Sequence, residues 1–201
     1  RFFFNLNLGR RLYMKKIIDN VLNDSLLISI QEMINSDSMP WYFIENSASY
    51  SKDKELIKHN LLNFSFYHMV FEKERSNDAL SSFYNITNSI GLILKDAFEL
   101  EKTNNIFRLR WGMTTTLNRI HKHNPHTDFL IPHKVILFYL NESDGDTYFY
   151  DKEHKIIDSV TPKENRAVLF DGSILHSSSK PIEFARRIVL NIVFEKECSN
   201  E

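Results

Sequence analysis

The chain has 201 residues, 42% of them apolar and 13% aromatic, which is enough to bury one sizeable core and excludes disorder. Sixteen Phe against five Gly exclude a low-complexity or collagen-like chain. With 25 Lys+Arg against 26 Asp+Glu the net charge is −1, so no overall field draws the chain to nucleic acid or an anionic membrane, and no apolar run of about 20 residues offers a span.

Arg1–Tyr13 reads as an upstream extension ahead of Met14-Lys15-Lys16-Ile17, which resembles an ordinary bacterial or phage start; an authentic edge strand or arm is the alternative. Asp24 or Ser25 caps a predicted helix reaching about Ile34, with Leu26, Leu27, Ile30 and Ile34 on one face. Pro40 stops it, and Trp41–Ile44 has the texture of a strand. A polar, irregular stretch over 46–60 precedes a strand-like run from Phe64 to Phe71. A second helix is predicted from a cap at Asn77 or Asp78 to about Glu99, carried by Leu80, Phe83, Ile90, Leu94 and Ala97. From Asn105 the pattern changes to short strands and turns: 106–114, 134–140, 147–150, 156–160, 167–170 and 187–194, with a loop over 117–125 and a turn over 141–146. Helices first and strands afterwards indicate a mainly β fold with supporting helices, a sandwich or barrel. No linker divides it, so 14–201 reads as one domain, with support over 14–104 and a β core over 105–194. The lone Cys198 forms no internal disulfide and fits a reducing compartment such as the cytoplasm of a bacterium or of a phage-infected cell.

The chemistry concentrates in His126-Thr127-Asp128, with His176 and Arg187 further along. Residues i and i+2 of an extended strand share a face, so His126 and Asp128 can grip one ion while Thr127 points away. Two imidazoles and one carboxylate are the ligands with which non-haem Fe(II) oxygenases hold one face of an octahedron. A lone His-x-Asp is weak evidence. Joined in order by a second His and by an Arg able to grip a carboxylate in two hydrogen bonds, it is a specific pattern.

These residues resemble the Fe(II)/2-oxoglutarate-dependent oxygenases, in particular the prolyl-4-hydroxylase-like branch. The matching stretches are His126–Asp128 (HTD), Phe138–Asn141 (FYLN), Asp144–Thr147 (DGDT), Thr161–Gly172 (TPKENRAVLFDG), His176 and Arg186–Phe194 (RRIVLNIVF), within about 105–194. The resemblance implies a double-stranded β-helix (jelly-roll or cupin-like), buttressed by the N-terminal helices. It implies His126, Asp128 and His176 as iron ligands, Arg187 as anchor for the distal carboxylate of 2-oxoglutarate, and O₂ as second co-substrate. The activity it implies is hydroxylation of an unactivated C–H bond, with a prolyl residue of a protein or peptide as one substrate and a free amino acid or small metabolite as the alternative. No nucleic-acid partner is expected, because the second arginine of the nucleic-acid-demethylating branch falls at Val193, and no membrane partner, because no long apolar run or net charge offers one.

Alternation along the last strand places Arg187, Val189, Asn191 and Val193 on one face and Arg186 on the other. Asn191 is then a candidate to orient substrate or co-substrate, or a partner for a buried backbone group. The position aligned with a carboxylate-binding Tyr of the family is Phe138, which lacks the hydroxyl, with Tyr139 expected to point outward; Thr147 or Thr116 would substitute. His121, His123 and His133 read as loop or entrance residues, His68 and Trp111 as core, and Ser177–Ser179 as a polar turn. Two other classes compete: a metal- or ligand-binding β-barrel without oxygenase chemistry, for which Arg187 has no use, and a degenerate structural member of the fold, for which Phe138 speaks.

Overall fold

The computed structural model describes residues 15–46, 62–76, 78 and 80–196. The predicted extension over 1–13 and most of the polar stretch 46–60 lie outside them. Ten strands and two helices are described: β1 Lys15–Asp19, α1 Asp24–Asn35, β2 Tyr42–Ile44, β3 Ser65–Glu72, α2 Tyr84–Ala97, β4 Asn104–Thr115, β5 His133–Tyr139, β6 Thr147–Tyr150, β7 Ile156–Val160, β8 Arg166–Asp171, β9 Leu175–Ser178 and β10 Arg186–Lys196. They form an antiparallel seven-stranded sheet, β1-β8-β5-β10-β4-β3-β2, facing a three-stranded sheet, β7-β6-β9. The small sheet continues past β9 as two isolated bridges, Lys122 to Ser179 and His126 to His176.

One face of the large sheet packs on the helices through Ile30, Ile34, Ile90, Leu94, Trp111, Phe138 and Leu190; the other meets the small sheet through Val135, Leu137, Tyr139, Phe149, Phe170, Val189 and Val193. β5 and β10 are thus buried on both faces, which is why they read as nearly continuous apolar runs. No described helix is long and apolar enough to cross a membrane.

Two helix starts differ from expectation. The cap of α1 is Asn23, whose Oδ1 accepts from the backbone N–H of Leu26 at 3.0 Å, one residue before Asp24. α2 begins at Tyr84, not near 78. The Ser81 hydroxyl is engaged by His68 Nε2 at 2.7 Å and accepts from the Phe83 backbone N–H at 3.1 Å, holding the segment as a turn. Leu80 stays 43% exposed there, its apolar periodicity notwithstanding. His68 and Trp111 are core residues, as read from the sequence.

Candidate metal centre

His126 and His176 are brought together by the backbone. Each donates its N–H to the other's carbonyl, at 3.0 and 2.9 Å, the pattern of a hydrogen-bonded antiparallel pair, which sets both side chains on one face. Their rings lie 4.8 Å apart. The expected extended strand through the His-x-Asp is reduced to this single bridge residue. Asp128 sits in a bend beyond it and still turns its carboxylate to the same side, its Oδ2 at 3.5 Å from His176 Nε2. One ligand atom from each of the three residues lies within 4.8 Å of the others.

The donor set fits a transition-metal ion. His126 Nδ1 faces the Asn124 carbonyl at 3.1 Å and His176 Nδ1 faces the Ile174 carbonyl at 3.0 Å. Each carbonyl requires a proton on Nδ1, leaving the Nε2 lone pair for a metal. Octahedral neighbours with bonds of about 2.1 Å are about 3 Å apart, so the spacing contracts only modestly on loading. Burial, reinforced by His176, pushes the His126 pKa down to about 4, so the ring is neutral and ready to ligate near pH 7.

That shift has a measurable consequence. Between about pH 6.5 and 4 the unfolded chain takes a proton that folded His126 refuses, so metal-free stability falls as pH drops through that window. Thermal midpoints in chelator should decline from pH 6.5 toward 4, and His126→Gln should flatten that decline. A variant curve parallel to wild type would remove His126 as the source.

Asp128 is held by a network that the sequence did not reveal. Burial opposes its charge, yet the Arg108 guanidinium and the two histidines keep its pKa well below the usual carboxylate range. Arg108 donates from Nη2 to Asp128 Oδ1 and to Asn191 Oδ1, the latter at 2.9 Å, and its guanidinium lies 4.7 Å from the Phe129 ring centre. Asn191 donates to Asp128 Oδ2 at 3.3 Å. Asn191 therefore orients a metal-site carboxylate, a more specific role than either sequence reading.

A cavity between the sheets is lined by the two histidines of the triad, His126 and His176, together with Leu137, Val189, Asn191 and Arg187. Arg187 is 4% exposed, whereas Arg186 is on the surface and donates to Asn35 Oδ1. Arg187 Nη2 donates to Thr147 Oγ1 at 2.9 Å, and its Nε is buried without a partner. Among the described residues it makes no ion pair, and burial pushes its pKa down. A buried cation so placed is a preformed anion site.

The expected parity of β5 is reversed. Phe138 pairs with Leu190 and is buried on the helix side of the sheet, away from the cavity. Tyr139 points inward: its hydroxyl is 2.8 Å from Thr147 Oγ1, and its ring centre lies 5.3 Å from the Arg187 guanidinium. The hydroxyl thought missing at Phe138 is supplied one residue later, which removes the ground for reading the fold as degenerate. Thr116 is not beside Arg187; its hydroxyl donates to the Ile182 carbonyl at 3.2 Å. Ser177 and Ser178 are not a turn but β9, with Ser177 against the Tyr150 hydroxyl at 2.8 Å. His123 is buried in the cavity wall, its Nδ1 3.1 Å from Ser178 Oγ. His121 is half-buried, its Nε2 3.3 Å from Asn63 Oδ1, and His133 is buried beside Gly172 at the start of β5.

The turn before β6 props up this end. Asp144 accepts the backbone N–H of Ile182 and Glu183, and the Asp146 carbonyl accepts that of Ser179. Between them Gly145 has no room for a side chain, since a Cβ would lie 2.8 Å from the Ser179 carbonyl oxygen and 3.2 Å from Arg187 Cδ. Gly145→Ala should cost about 1–3 kcal/mol and displace Arg187. A lower thermal midpoint with weaker binding of a dicarboxylate probe is the expected pair of readings; an unchanged affinity would separate the turn from the arginine.

No family model and no curated protein matches the sequence. Solved structures do match in fold. An oxidoreductase of the 2OG-Fe(II) oxygenase family from Burkholderia pseudomallei superposes with a TM-score of 0.67 at 10% identity, covering 94% of this chain and 87% of the other. The fold is the double-stranded β-helix of the 2-oxoglutarate/Fe(II) oxygenases. A prolyl hydroxylase from Trichoplax adhaerens, solved with a hypoxia-inducible-factor peptide fragment, gives 0.57 at 14% identity over 92% and 85% of the chains. HygX from Streptomyces hygroscopicus, with nickel, 2-oxoglutarate and hygromycin B, gives 0.58 at 8% over 91% and 83%. At these identities the likeness establishes the β-helix alone. In this β-helix the large sheet contributes Arg187 and Tyr139, and the bridged edge of the small sheet contributes the histidines.

Proposed function

We propose that this protein is an Fe(II)- and 2-oxoglutarate-dependent dioxygenase that hydroxylates an unactivated C–H bond. The observation that carries this reading is one cavity lined both by the two histidines of a two-histidine, one-carboxylate cluster and by a buried guanidinium, Arg187, that makes no ion pair among the described residues. His126, Asp128 and His176 would hold the iron. Bound iron supplies oxidative decarboxylation of 2-oxoglutarate by O₂ to succinate and CO₂, with one oxygen atom passed to the substrate. Arg187, held by Thr147 and the Tyr139 ring, would receive the distal carboxylate of 2-oxoglutarate, with the Tyr139 and Thr147 hydroxyls completing its cradle. Arg108 and Asn191 keep Asp128 ionised and aimed, and the apolar walls from Leu137 and Val189 exclude water.

A prolyl residue of a protein or peptide is one substrate class supported by the fold likeness. The hygromycin B complex shows that the same fold accommodates a small molecule in another protein. The test of the reaction is anaerobic reconstitution with Fe(II) and 2-oxoglutarate, then O₂, with succinate measured. An absorption change on adding 2-oxoglutarate and slow succinate release without substrate are expected. Absence of both defeats the oxygenase reading.

A further inference from the structure

A second cation faces the same cavity, and the chemistry above leaves it without a task. Arg110 lies on the cavity face of β4, in register with Asn191 of β10, and lines the cavity together with His126 and His176. It stands four strand positions from Thr114, the register partner of Arg187, about 13 Å along the sheet, and so belongs to the metal end. Among the described residues it makes no hydrogen bond and no ion pair. The carboxylates nearest to it are engaged elsewhere: Asp128 by Arg108 and the metal position, and Glu72 by Arg75 at 2.7 Å. Arg108 adds repulsion, and burial pushes the Arg110 pKa down to about 10, so the group remains charged near pH 7.

The electrostatic balance calls for one more anion. A divalent ion with Arg108, Arg110 and Arg187 carries more positive charge than Asp128, Asp146 and dianionic 2-oxoglutarate offset. A partly desolvated guanidinium facing excess positive charge is costly unless an anion joins it when the site is loaded. We propose that the substrate is a small free carboxylic acid, such as an amino acid, whose carboxylate docks on Arg110 and so presents a C–H bond to the metal end of the cavity. An internal residue of a polypeptide has its carboxyl tied up as an amide and offers Arg110 no such charge. This inference rests on the oxygenase reading and chooses between its two substrate classes.

The test uses the full chain loaded with Zn(II), which has no redox chemistry, and with 2-oxoglutarate, so that binding is read without turnover. Each L-amino acid, its primary carboxamide and an end-blocked proline peptide are titrated by thermal shift. At least one free acid should raise the midpoint, with its carboxamide at least about tenfold weaker. Arg110→Gln should weaken that acid by a similar factor, Arg110→Lys should keep most of the affinity, and 2-oxoglutarate affinity should change less than about twofold. The acid–carboxamide comparison is made on the wild type, so a poorly folding variant does not blunt it. Equal binding of acids and carboxamides, binding by the blocked peptide alone, or no binding by any acid overturns the proposal. So does loss of 2-oxoglutarate affinity in Arg110→Gln, which would assign the arginine to the co-substrate. A wild type that takes up no 2-oxoglutarate defeats the oxygenase reading itself and this proposal with it.

Discussion

Asp128→Asn is expected to eliminate 2-oxoglutarate turnover and to weaken metal binding by at least about 100-fold, since even an outer-shell partner is worth 10–100-fold. The carboxylate has two tasks, and the substitution removes both. Toward the metal it supplies the one charged ligand of the triad. Toward the protein it neutralises Arg108, which is 3% exposed. With an amide in its place Arg108 keeps neutral acceptors, the amide oxygen and Asn191 Oδ1, and the Phe129 ring, but loses its counter-charge. Breaking a buried pair in this way costs about 3–5 kcal/mol, a fall of roughly 6–20 °C in the thermal midpoint of a chain this size. The two tasks separate in a second variant: Asp128→Asn with Arg108→Met removes the stranded charge and should regain much of the stability while turnover stays absent. Recovery of turnover together with stability would reduce Asp128 to a structural role. The pH dependence has a definite sign. The folded Asp128 pKa lies below its unfolded value, so its contribution is present above about pH 4 and is lost as pH falls through the folded value. Metal-free Asp128→Asn should therefore lack this part of the acid limb.

How much of this was legible in the sequence follows from the kind of signal each residue leaves. His126, Asp128, His176 and Arg187 stand out because imidazoles, a carboxylate and a guanidinium interrupt apolar strands, and an interruption has a position. On β10 the phase came from the family pattern, whose arginine directly precedes the apolar run; this selects Arg187, and alternation then sends Arg186 to the opposite face. On β5 the same reasoning fails. Ile136, Phe138 and Leu140 face the helices while Val135, Leu137 and Tyr139 face the small sheet, so both sets are apolar and alternation carries no phase. A one-residue slip then exchanges Phe138 for Tyr139. Arg108 and Arg110 were legible in principle as charges at i and i+2 in the strand beginning at Asn104, an arrangement that on a buried strand signals a polar cavity. The partners of Arg108 arrive from distant segments, Asp128 and Asn191, which no local pattern pairs with it, and Arg110 has no ion pair among the described residues. The late start of α2 has a similar origin: the Ser81 hydroxyl is claimed by His68 of another strand, a tertiary contact that overrides the periodicity of Leu80 and Phe83.

Arg187→Ala is expected to weaken 2-oxoglutarate binding by about 100-fold or more while leaving metal affinity nearly unchanged, because the proposed partner of the guanidinium is the far carboxylate and not the ion. Two charge-assisted hydrogen bonds of a guanidinium fork account for that magnitude. The apo protein should respond in the opposite direction. Arg187 is buried with an unpartnered Nε and no ion pair among the described residues, so removing its charge relieves a desolvation cost. The apo midpoint of Arg187→Met should match or exceed wild type, even as the stabilisation by 2-oxoglutarate vanishes. A residue serving only the fold would give the reverse pair of results. The parity of β5 is tested by the same titration. Tyr139→Phe removes the hydroxyl that Thr147 shares with the pocket and should cost about tenfold in 2-oxoglutarate affinity with little loss of stability. Phe138→Tyr puts a hydroxyl among Ile136, Leu190 and the helices, where it has no partner, and should cost about 1–3 kcal/mol while 2-oxoglutarate binds as before. If Phe138→Tyr instead tightened 2-oxoglutarate and Tyr139→Phe were silent, the inward face of β5 would be the other one, and the cradle drawn around Arg187 would be wrong.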